Sequence, residues 1–76
     1  MVANKENISV GDNLYICTNL PFSEKKYRKV KVTGVYDSHF TYSTKVSENV
    51  CCIYQNDEYQ SIFTTLKETW NWIRRD

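Results

Sequence analysis

Apolar residues recur at every second position through most of this chain, and only near its end does the spacing lengthen to that of a helix. Ile8-Ser9-Val10 alternates, Gly11-Asp12 supplies a turn, and Leu14-Tyr15-Ile16-Cys17-Thr18 alternates again. Leu14 and Ile16 therefore share one face, and Tyr15 and Cys17 the other. Between Asn19 and Lys26 stands Pro21, which lacks an amide donor and disfavours a helical Leu20. It predicts the longest loop, with Leu20 and Phe22 free to tuck beneath it. Tyr27 to Tyr36 is a long β run in which Val30 and Val32 face one way while Lys29, Lys31 and Thr33 face the other. Gly34 marks a bulge or bend where that strand curls.

Asp37-Ser38-His39 reads as a turn into a third strand, Phe40-Thr41-Tyr42-Ser43-Thr44. Ser47-Glu48-Asn49 breaks the pattern and Val50-Cys51-Cys52-Ile53-Tyr54 resumes it. Gln55-Asn56-Asp57-Glu58 is then expected to be a hairpin tip, the chain returning through Tyr59-Gln60-Ser61-Ile62-Phe63 against the strand before it. Beyond it Leu66, Trp70 and Ile73 recur at helical spacing, Thr65 with Glu68 forms a capping-box pattern, and Arg74-Arg75 sit where a helix dipole favours positive charge. The expected helix runs over about 65–75, with Leu66, Trp70 and Ile73 sealing the inside of the sheet and Trp72 well off that stripe.

The elements predict a mainly β fold: a small five-stranded antiparallel SH3-like barrel, or a strongly bent sheet, with a short C-terminal α-helix. Val10-Gly11-Asp12-x-Leu14 resembles the first turn of SH3-like small barrels, a likeness that extends to strand order and carries no functional residue. Residues 1–7 form a flexible polar arm and 8–76 a single domain, since 76 residues supply surface for one core.

Composition narrows the function. A content of 41% apolar and 25% charged residues is that of a folded protein, and a formal net charge of +1 gives no global field toward nucleic acid or an anionic membrane. No run approaches the roughly 20 apolar residues that span a bilayer, and the opening residues hold no signal-peptide core. Three cysteines, Cys17, Cys51 and Cys52, are an odd number and too few for a disulfide framework, so a cytoplasmic setting without disulfides is expected.

Catalysis finds little to stand on. Asp37-Ser38-His39 holds the residue types of a hydrolase triad, but neighbours on one turn do not reach round one another to form its hydrogen bonds. His39 is the sole histidine, Asp57 and Glu58 sit at a solvated tip, and two glycines build no phosphate-cradling loop. Cys17, Cys51, Cys52 and His39 include no Cys-x-x-Cys pair, so neither metal nor cofactor is expected.

A non-enzymatic binding module acting by surface contact with a protein partner is the reading that remains, with small accessory or inhibitory proteins of bacteria and phages as the analogy. Its expected contact residues are Trp72, Arg74, Arg75 and Tyr59, of the types that dominate interface hot spots. The alternative is a nucleic-acid-binding small barrel using the basic stripe Lys25, Lys26, Arg28, Lys29 and Lys31 with Tyr27, helped by Tyr36, Phe40 and Tyr42 if they face outward. An unpaired strand edge also allows a homodimer.

Overall fold

The computed structural model describes residues 1–75. Five antiparallel strands, β1 (Asn13–Thr18), β2 (Lys26–Val35), β3 (His39–Ser43), β4 (Val50–Ile53) and β5 (Gln60–Phe63), precede one helix, α1 (Leu66–Arg74). They form a single sheet in the order β4-β3-β2-β1-β5, open at β4 and β5 and not closed into a barrel. No helix is long and apolar enough to cross a membrane among the described residues.

Strand alternation decides the two faces. The registers place Leu14 opposite Val30, Ile16 opposite Ile62, and Val32 opposite Tyr42. These side chains, with Phe40, Ala3 and Ile8, make the main core on the inner face. The outer face of β1 and β5 carries a second, smaller cluster of Cys17, Phe63 and Trp72, with Val2 and Ile73 packed against it. The sheet is thus buried on both sides where β1 and β5 run, by its own curl within and by α1 without.

Three expectations are corrected here. The helix does not seal the inside of the sheet, because it lies on the opposite face; it packs through Thr69 and Trp72, while Leu66 and Trp70 are 42% and 39% exposed. Thr69 is a polar residue that a buried position accepts because its hydroxyl donates to the Thr65 carbonyl at 2.9 Å. Second, β4 and β5 are not a hairpin. The turn forms, with an isolated bridge between Asn56 and Ser61, but β4 pairs with β3 and β5 crosses to the free edge of β1. Third, the polar arm at 1–7 is docked: Val2 bridges Phe63, the Ala3 amide donates to the Ile62 carbonyl at 2.8 Å, and Ala3 is buried.

Other local signals read as expected. The β2–β3 register slips between Val32 and Gly34, the bulge that the glycine marked. A Cβ on Gly34 would stand 2.7 Å from Thr41 Oγ1 and 2.9 Å from the Tyr36 ring, so any larger residue must displace one of these side chains. Gly11 adopts φ +96° and its amide donates to Val32 at 2.9 Å, fastening the first turn to β2. Thr65 caps α1 by accepting from the Glu68 amide.

Candidate contact surfaces

Two exposed regions concentrate the side chains expected to act. The first lies at the end of the molecule where the β1–β2 loop meets the segment before β5. The Asn19 amide donates to the Tyr59 carbonyl at 2.8 Å and its side chain to that of Glu58 at 3.2 Å, holding the two segments together. Lys25 reaches the Arg75 carbonyl, and its Nζ stands 5.5 Å from the centre of the Trp72 ring. Shallow grooves open on both sides of that indole, one lined by Phe63, Glu68, Asn71 and Arg75, the other by Asn19, Lys25, Glu58 and Arg75.

Trp72 itself is 7% exposed, so it forms the floor between these grooves and not a projecting anchor. It lies off the Leu66-Trp70-Ile73 stripe as expected, but that stripe is not the one that packs: α1 turns Thr69 and Trp72 onto Cys17 and Phe63. Leu20 and Phe22 do not tuck under their loop. Phe22 projects fully into solvent from a backbone with φ 64°, which a bulky residue rarely adopts, and Leu20 and Tyr59 are exposed as well. The nearby Glu58 carboxylate raises the Tyr59 phenol above its ordinary pKa, keeping it a hydrogen-bond donor.

The second region is the outer face of β1 and β2 beside α1. Tyr15 and Tyr27 meet edge to face at 6.2 Å, and Tyr27 meets Trp70 likewise at 5.4 Å. The Arg74 guanidinium lies over Trp70 at 5.5 Å. The spacing of Trp70 and Arg74, one helical turn apart, carries a signal for this cluster, although the Leu66-Trp70-Ile73 stripe predicts a core position for Trp70.

The basic stripe does not stay together. Tyr27, Lys29 and Lys31 point outward, opposite Cys17, Tyr15 and Asn13 respectively. Arg28 lies opposite Ile16 on the inner face, Lys26 opposite Thr18, and Lys25 belongs to the Trp72 end. Phe40 and Tyr42 are buried in the core and offer no ring to a ligand, while Tyr36 is exposed and stacked on His39 at 4.8 Å.

Ser38 and His39 are adjacent and exposed, with Oγ 3.3 Å from Nδ1. Burial raises the Cys17 thiol above its usual range, with Thr69 pulling the other way, and burial likewise raises Cys52 against the nearby Arg28 charge and Gln60. Such thiols stay protonated at neutral pH and are poor nucleophiles. Among the described residues, histidine, cysteine and carboxylate side chains gather nowhere in groups of three or more.

Comparison with known proteins brings no match: no family model, no curated protein and no solved structure is similar to the chain.

Proposed function

We propose that this chain is a non-enzymatic binding module that holds or blocks a protein partner through its loop end, where Asn19, which lines one Trp72 groove, joins the loop bearing the exposed Leu20 and Phe22 to the segment bearing Tyr59. The observation that carries the reading is Phe22, an aromatic side chain fully in solvent on a strained backbone. Leaving such a ring hydrated forgoes burial worth about 1.5–3 kcal/mol, and a partner's pocket would recover it. Tyr59 and Arg75 add rigid area and charge at the rim, the mixture that interface anchors use. A cytoplasmic setting accords with three free thiols.

Affinity capture from the native host tests the proposal. A partner retained by the wild-type chain should be lost with Phe22→Ser and weakened with Tyr59→Ala, while both variants melt as the wild type does. Capture indifferent to both substitutions would remove this surface from consideration.

Two finer readings go with it. The sheet is an open relative of the SH3-like small barrels, supported by the meander β1-β2-β3-β4 with β5 returning to β1. Any homodimer would use β4, since Val2 and Ala3 already line β5; sedimentation at rising concentration decides it.

A further inference from the structure

We propose a second, independent site: the outer face of β1 and β2, walled by Trp70, binds single-stranded nucleic acid. The near-neutral net charge conceals how the charges are distributed. Among the described residues none of the eight Asp and Glu side chains lies in a strand; they stand in loops, in α1 or near the start of the chain. The strands carry Lys26, Arg28, Lys29 and Lys31 instead, and alternation delivers Lys29 and Lys31 to the face that Tyr27 shares. Arg74 brings a third cation to the wall from α1.

Lys29 lies opposite Tyr15, and Lys31 lies opposite Asn13 on one side and Ser43 on the other. Next outward on β3 is Thr41, whose hydroxyl is 2.8 Å from that of Thr33. Cations and hydroxyls suit phosphate and sugar, and the half-exposed rings of Tyr27 and Trp70, 37% and 39% accessible, offer π surface to one or two bases. An acidic peptide would share the charge preference, but its apolar residues would find no aliphatic side chain at the β1 and β2 positions of this face. A duplex would keep its bases stacked on one another and leave the rings unused. Because the rings meet edge to face, they form a short contact and not a continuous row, so low sequence selectivity is expected.

Fluorescence anisotropy with a labelled oligothymidylate of about 15 nucleotides, near the upper site size of single-strand binders, is the test. The wild type should bind at low salt, with a log–log salt slope of about −2 to −3, the value for three to four phosphates neutralised on a single strand. Lys29→Glu/Lys31→Glu should weaken binding by at least about tenfold, and Lys5→Glu/Lys45→Glu, of identical net charge, by no more than about twofold. Trp70→Ala should weaken it by about fivefold and Trp70→Phe should restore most of the loss. Phe22→Ser should leave it unchanged, which separates this site from the protein-contact end. The proposal is overturned by absence of binding, by equal losses in the two charge-reversed doubles, by tighter binding of the matching duplex, or by polyglutamate competing at equal charge concentration. Circular dichroism on each variant checks that the sheet persists.

Discussion

Lys25 closes over Trp72, its ammonium 5.5 Å from the indole centre, while Cys17 and Phe63 pack beneath the same ring. One side chain thus ties the long loop, the helix and the outer sheet face together. Trp72→Ala should lower stability by about 3–5 kcal/mol, the range for deleting a buried aromatic ring. Trp70→Ala should lose about 1 kcal/mol, the scale of an edge-to-face pair at a half-exposed site. Denaturant melts of the two variants read the difference, and equal losses would contradict the helix orientation described.

Gly34 faces Thr41 at the bulge, where an added Cβ would come within 2.7 Å of the threonine oxygen. Gly34→Ala should cost about 1–3 kcal/mol through overpacking. Removing the opposing hydroxyl relieves the contact, so in a Thr41→Ala background the same change should cost clearly less. Additive losses in thermal melts would show that the clash is not the cause.

The three thiols are graded by position: Cys51 exposed on β4, Cys52 half-buried, Cys17 buried beneath α1. A thiol reagent at neutral pH should modify Cys51 first and Cys52 more slowly, and should reach Cys17 only when the chain opens. Mass spectrometry of timed samples gives the order, and early labelling of Cys17 would place α1 wrongly.

Cys17 also sets a pH dependence. Its folded pKa is raised by burial, so above the ordinary thiol value of about 8.5 the unfolded chain has released a proton that the folded chain keeps. The unfolded state then binds fewer protons, and stability falls as pH rises. The contribution is fully present below about 8.5 and is lost as pH climbs through the raised folded value. Cys52 acts in the same direction. Cys17→Ala should flatten the decline of melting temperature in alkaline buffer, and an unchanged slope would assign the decline to other groups.

Alternation alone located all five strands, and the change of period located the helix with its Thr65 cap. Pairing was less legible. Val50–Tyr54 and Tyr59–Phe63 flank a turn whose Asn56–Ser61 bridge is genuine, yet β5 finds more by setting Ile62 beside Ile16 in the core, a partner 46 positions away that no local pattern announces. The helix carried two possible stripes. Leu66-Trp70-Ile73 is the more apolar, but Thr69-Trp72 is the one that packs, because a satisfied threonine is small enough to seat the helix close to Cys17. For the contact surfaces, Tyr59, Arg74, Arg75, Lys29 and Lys31 stand exposed as expected. Trp72 and Trp70 exchange roles, and Phe22 carried no signal beyond its place after a proline.

β1 is flanked by β2 and β5, with the main core against one side of it and α1 against the other. Its amides lie where neither edge fraying nor a loop opening reaches them, so deuterium should enter Ile16 and Cys17 last of all. β4, with a neighbour on one side alone, should take it up early. The molecule therefore comes apart from the β4 margin inward, and the interior strand that carries Tyr15 remains in place until the whole chain lets go.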